Sequence, residues 1–265
     1  MFKRYFMFFI VLLIPILFAF GVTYKVGTEA SFPPFEYVEN GQYVGFDIDL
    51  IREIGKLKGF NVEVIDISFD SLIPSLTTGN IDIIAAGMTI TEDRQKVVDF
   101  TIPYYSGDQS ILVRKDSDFD ITVLFGNHKI GVQTGTTGDL WVTEHLSDKN
   151  IKIKSYWVFH LFKVTEHLSD KNIIPKKNIT RYDTFNFAVR DLVNKNIDAI
   201  VLDNPVAERF TKTDPVKIVG IIKTEESYGM AVKKGNKELL NLLNSGIQEL
   251  QKNGKLDELI EKYFK

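Results

Sequence analysis

From residue 22 onward the chain alternates short β-branched runs with longer amphipathic ones. That alternation restricts it to an α/β protein whose strands are mostly parallel. TYKVGT (23–28), NVEVID (61–66), IDIIA (81–85), SILVR (110–114), KIGVQ (129–133) and IDAIVL (197–202) read as strands, with another at 179–182. Helical periodicity falls near 46–58, 70–78, 92–97, 138–147, 184–194, 204–211 and 236–262. With 265 residues, 44% of them hydrophobic, the chain has apolar material for one large domain or two modest ones. A net charge of −3 leaves no basic footprint, so no nucleic-acid partner is expected.

Residues 1–21 stand apart. Lys3 and Arg4 precede YFMFFIVLLIPILFAF (5–20), and Ala19 and Gly21 are small residues at the spacing a signal peptidase reads. A secretory signal cleaved after Gly21 is expected; an uncleaved membrane anchor is the alternative, because the run is only slightly short of a spanning helix. The absence of cysteine excludes disulfides, zinc–thiolate sites and lipid attachment at an N-terminal cysteine. No Ser-His-Asp, Cys-His or His-Glu-x-x-His constellation occurs, so no catalytic residue, metal or cofactor is expected.

VTEHLSDKNI occurs twice, at 142–151 and 164–173. The copies are identical and their flanks unrelated, unlike the looser, sustained similarity of a solenoid. The sequence therefore reads either as a local duplication, with about 151–172 inserted on the surface of one lobe, or as an error in the sequence itself.

Four positions carry candidate chemistry. In GMTITEDRQK (87–96), Thr91 is a helix N-cap and Glu92 and Asp93 suit the positive helix end, but Arg94 opposes it. Either Arg94 swings to solvent or it faces an anion. The segment TGTTGDL after KIGVQ leads from a strand into a helix start; its Gly135, Thr136, Thr137 and Gly138 make either a plain tight turn or an anion-seeking set of backbone N–H groups. Asp203, closing IDAIVLD before Asn204-Pro205, is open to two roles, helix cap or ligand group. Glu29, in VGTEASFPPFEY, lies at a strand's carboxyl end beside Phe32 and Phe35, where open α/β sheets bind ligands. Two anion-seeking sites and two carboxylates together suit a ligand with both charges, of which a free amino acid is the simplest.

VGTEASFPPFEY, VGFDIDLIREI, SFDSLIPSLTTGNIDIIAAGMTITEDRQKVVDFTIPYY, GVQTGTTGDL, IDAIVLDNP and GKLDELIEKYF, in that order, resemble the amino-acid-binding proteins of ABC importers, extracellular solute-binding protein family 3. The resemblance covers the mature chain except the duplicated segment. It implies a two-lobed periplasmic-binding-protein fold, a Venus flytrap of mostly parallel sheets with helices on both faces and two hinge crossovers. Lobe 1 would span 22–108 and 227–265 and lobe 2 109–226, with crossovers near Ser106–Gln109 and Glu226–Tyr228. Arg94 would clamp the α-carboxylate bidentately, helped by backbone N–H groups of Thr89 and Thr137. Asp203 would pair with the α-ammonium, assisted by the Thr89 hydroxyl and the Gly87 carbonyl. Phe32 and Phe69 would sandwich the side chain, and Glu29 would meet a basic or amide group. The implied partners are a free L-amino acid, arginine first, and a membrane permease; the implied state is a periplasmic monomer. Alternatives are a cyclohexadienyl-dehydratase-like enzyme on the same fold, a glutamine- or cystine-binding transport protein, and the sensor domain of a membrane receptor.

Overall fold

The computed structural model describes residues 21–146 and 178–265; the expected signal segment and nearly all of the duplication lie outside them. The strands are β1 (Thr23–Thr28), β2 (Ser31–Phe32), β3 (Glu36–Glu39), β4 (Gln42–Val44), β5 (Asn61–Asp66), β6 (Ile83–Ile84), β7 (Val98–Phe100), β8 (Tyr105–Arg114), β9 (Ile130–Gln133), β10 (Ile179–Tyr182), β11 (Ala199–Asp203), β12 (Val216–Tyr228) and β13 (Ala231–Lys233). The helices are α1 (Phe46–Lys58), α2 (Phe69–Thr78), α3 (Glu92–Val97), α4 (Thr137–Leu146), α5 (Phe185–Val193), α6 (Asn204–Thr213), α7 (Lys237–Lys252) and α8 (Lys255–Phe264).

Two five-stranded sheets form the two lobes, in the orders β5-β1-β6-β13-β7 and β10-β9-β11-β8-β12. In the first, β1 pairs parallel with β5 and β6, and β13 runs antiparallel between β6 and β7. In the second, β9 pairs parallel with β10 and β11, and β8 runs antiparallel between β11 and β12. The expected α/β pattern thus holds, each sheet being a parallel core with antiparallel additions. The strands β2, β3 and β4 make a small third sheet.

Local sequence explains the helices that flank these sheets. In α1 the buried Phe46, Leu50, Ile51 and Ile54 recur at helical spacing, and Gly59 ends the helix in the left-handed conformation at φ 76°. Gly246 of α7 lets the two helices approach closely, since a Cβ there would come within 2.5 Å of Ile54. One expected helix is two. The run at 236–262 breaks at Gly254, whose φ of 80° no continuing helix accommodates, and the chain restarts as α8.

The connections between lobes are strands paired with each other. Tyr105, Ser106 and Gly107 of β8 face Tyr228, Ser227 and Glu226 of β12, and Thr89 bridges to Tyr228 from the first lobe. An aromatic cluster surrounds this ribbon. Tyr105 stacks on Tyr228 at 5.7 Å and on Phe264, near the chain's end, at 4.5 Å, while Phe35 meets both edge-on.

Candidate functional site

Strand ends of both sheets deliver loops to one interlobe cleft: β1 leads to Glu29, β6 to Gly87 and Thr89, β9 to Gly135–Thr137, and β11 ends in Asp203. This is the crevice outside strand carboxyl ends in which open α/β sheets bind ligands.

Arg94 does not swing out to solvent. The Thr91 side chain caps α3 by accepting from the Arg94 N–H at 3.2 Å, and the guanidinium is buried. Its Nη1 donates to the Thr89 carbonyl at 2.7 Å, its Nη2 reaches across the cleft to the Gly135 carbonyl at 3.1 Å, and the Phe69 ring lies 5.3 Å away. Phe69 therefore supports the cation while walling the cleft. Burial draws the guanidinium's pKa down, and Glu226 and Asp203 draw it up. The fork's remaining N–H groups meet no acceptor among the described residues, which equips it for an incoming carboxylate.

Asp203 occupies the N-cap position of α6 without capping it through its side chain. Its carboxylate makes no cap hydrogen bond to α6; the Tyr228 hydroxyl donates to it instead, and it is buried. Burial first and the Glu226 charge second push its pKa well above the usual carboxylate range, with Tyr228 and Gln109 opposing. A cation arriving beside it would reverse that shift.

Glu29 is buried at the end of β1, accepting from the Ser31 hydroxyl and, across the cleft, from Gln133 Nε2 at 3.2 Å. Burial raises its pKa too. Phe32 stacks on Phe35 at 5.7 Å and on Phe185, the first residue of α5 in the other lobe, at 5.9 Å. Gly87 has φ 52°, and a Cβ there would sit 2.8 Å from the Phe32 ring, so only glycine allows that ring its place. The Gly87 N–H donates at 2.8 Å to Asp47, a buried carboxyl raised to about 6 by burial.

Thr137 opens α4 behind the turn at Gly135, where φ is 78°. The hydroxyls of Thr137 and Thr89 both donate to Glu226 Oε2, at 2.8 and 2.6 Å. The structure thus brings Glu29, Phe32, Phe69, Gly87, Thr89, Arg94, Thr137 and Asp203 to one cleft.

It adds residues that sequence reasoning missed: Glu226, Gln109, Gln133, Tyr228, Phe185 and the buried Glu36. Glu36 has no hydrogen-bond partner on either oxygen, and burial, with the Asp47 charge second, holds it protonated far above the usual range. A carboxylate inside the buried motif FPPFEY was a usable signal for Glu36; TEESY, which reads as an exposed polar loop, held none for Glu226.

No described helix is long and apolar enough to cross a membrane, and the described residues hold no His/Cys/Asp/Glu cluster suited to a metal ion. Known proteins extend the geometry. The chain is 32% identical to the histidine-binding periplasmic protein of Salmonella typhimurium, covering 91% of this chain and 86% of that protein. It is 30% identical to the ABC transporter arginine-binding protein 1 of Escherichia coli, over 93% and 94% of the two chains. Among solved structures, an ancestral arginine-binding protein bound to arginine superposes with a TM-score of 0.78 at 38% identity, covering 93% of this chain and all of that one. The family model for the bacterial extracellular solute-binding proteins, family 3, matches residues 24–265, and the chain, with its two sheets and the cleft between them, belongs to that family.

Proposed function

We propose that the protein captures a free L-amino acid outside the cytoplasm, arginine first, and delivers it to the permease of an ABC importer. In this reading Arg94 clamps the α-carboxylate with the backbone N–H groups of Thr89 and Thr137. Asp203 pairs with the α-ammonium, assisted by the Thr89 hydroxyl and the Gly87 carbonyl. Phe32 and Phe69 flank the side chain, and Glu29 meets its distal cation.

The observation that carries the reading is a charge imbalance. Glu29, Asp47, Asp203 and Glu226 are buried around the cleft, with Glu36 beside them held protonated, whereas Arg94 is the one buried cation among the described residues. Isolated buried charge is costly, so a site of this composition favours a ligand that supplies two cations and one carboxylate. Relatives named for binding arginine and histidine support the same ligand class. Asp203 as an ammonium partner also favours capture over a dehydratase reaction, which needs an acidic group free to expel water. The protein acts as a monomer, exported to the periplasm through residues 1–21, without metal, cofactor or nucleic acid.

A thermal-shift screen against the common amino acids tests this. A ligand at a hundredfold its Kd stabilises by about 2.7 kcal/mol, and at this chain length each kcal/mol raises Tm by about 2–4 °C. Arginine is expected to give the largest shift. Stabilisation by an acidic amino acid but not by arginine would overturn the preference, and no response to any amino acid would overturn the reading.

A further inference from the structure

Glu226 is a buried carboxylate on the crossover strand β12 with no role in the ligand assignment above. Its Oε2 accepts from two threonine hydroxyls of opposite sides of the cleft: Thr89, after β6, at 2.6 Å, and Thr137, at the start of α4, at 2.8 Å. Its Oε1 accepts from Gln109 Nε2 at 3.0 Å. A threonine hydroxyl has one proton to donate and two lone pairs to accept with. Once Thr89 gives its proton to Glu226, the hydroxyl serves any further partner only as an acceptor. An ammonium group is a donor only, so this hydroxyl state suits it. A freely rotating hydroxyl would serve an amine, an alcohol or a carboxylate alike.

We infer that Glu226 is a positioning residue for the ligand's amine: by accepting the hydrogen bond of the Thr89 hydroxyl it leaves that hydroxyl only its lone pairs to offer the ammonium assigned above to Asp203, so that the cleft selects ligands bearing a free ammonium. The inference rests on the amino-acid reading of the site and deepens it. The Glu226 charge acts on both principal ligand groups, opposing ionisation of Asp203 and favouring that of Arg94. An ammonium entering next to Asp203 offsets that influence. Specificity of this kind is a difference between two affinities, built here by denying a donor to acceptor-only groups and by a carboxylate charge that a cation offsets and an alcohol does not.

The test is calorimetric titration with the best-binding L-amino acid from the screen, alongside its deamino and α-hydroxy analogues. In the wild type the amino acid binds more tightly than either analogue. Glu226→Gln removes the charge and turns one of the two acceptor oxygens into a donor, so the Thr89 hydroxyl is no longer held by a charged acceptor; since a hydrogen bond to a charged group is worth more than a kcal/mol, amino-acid affinity should fall about tenfold while the analogues change less than about twofold. Thr89→Val should produce the same selective loss, Thr89→Ser should restore amine preference, and Glu226→Gln should add little once Thr89 is valine. Equal losses for amino acid and analogues, or effects of Glu226→Gln and Thr89→Val that multiply, would overturn the inference while leaving the amino-acid reading intact. Should Glu226→Gln fail to fold, the Thr89 pair decides: full amine preference in Thr89→Val overturns it. A wild type that binds no amino acid sinks the functional reading, and this inference with it.

Discussion

Replacing Asp203 by asparagine should stabilise the empty protein and disable it at the same time. The Asp203 carboxylate is buried beside Glu226, and both burial and that neighbour raise its pKa in the folded state. The folded protein therefore holds the Asp203 proton more tightly than the unfolded chain, whose aspartates titrate near 3.9. Below that value both states are protonated and Asp203 contributes no pH dependence; as pH rises toward the elevated folded pKa, stability is progressively lost, and above it the penalty is complete. Asparagine keeps a side-chain oxygen for the Tyr228 hydroxyl and carries no charge. Asp203 is raised to about 7 and each pKa unit of elevation is worth about 1.4 kcal/mol, so a gain of up to about 4 kcal/mol at pH 8, or about 8–16 °C in Tm, is the expected scale. The gain should vanish near pH 4. Ligand binding should move the opposite way, because truncating one partner of a buried charge pair costs about 2–5 kcal/mol, a loss of about thirtyfold to several thousandfold. Differential scanning calorimetry from pH 4 to 8 and titration calorimetry with arginine measure the two halves. A variant less stable than wild type at pH 8, or one that binds arginine undiminished, would refute the reasoning.

Three further outcomes follow from the same geometry. Arg94→Ala should abolish measurable affinity with the fold intact, and Arg94→Lys should rescue little, since an ammonium cannot span the Thr89 and Gly135 carbonyls and a carboxylate together; near-native titration of either variant would contradict the clamp. Glu29→Gln should weaken arginine binding by a larger factor than glutamine binding, because only arginine loses a charge partner in a buried site, and equal factors for both ligands would show that Glu29 does not read the side chain. Gly87→Ala should lower stability by about 1–3 kcal/mol through its left-handed backbone and its clash with Phe32, so an unchanged urea midpoint would mean that the ring has room to move.

Much of the fold was legible because its signals are local. Period-two and period-3.6 patterns placed β1, β5 and β10 and helices α1 and α3 at their observed bounds, since each depends on residues within a turn or a strand of one another. The tension between Arg94 and its helix dipole is equally local; it left solvent or an anion as alternatives, and burial of the side chain against two carbonyls sets the first aside. Four strand-end loops likewise marked where the cleft would be.

What tertiary structure alone decided involves partners distant in the chain. The 13 residues of β12 include the polar run KTEESY, which lacks a strand's apolar alternation; its Glu226, Ser227 and Tyr228 are placed by pairing with β8 more than 100 residues earlier, while Lys223, Thr224 and Glu225 fall in a break of that register, Glu225 at φ 51°. Glu226 gains its environment from Thr89, Thr137 and Gln109, separated from it by 137, 89 and 117 positions. The two roles open to Asp203 were indistinguishable in IDAIVLDNP, because both begin with an aspartate before a helix; the hydroxyl of Tyr228, 25 residues on, settles which way its carboxylate faces. Propensity and capping act over a few residues, whereas burial, charge environment and hydroxyl direction are set only when the chain closes on itself.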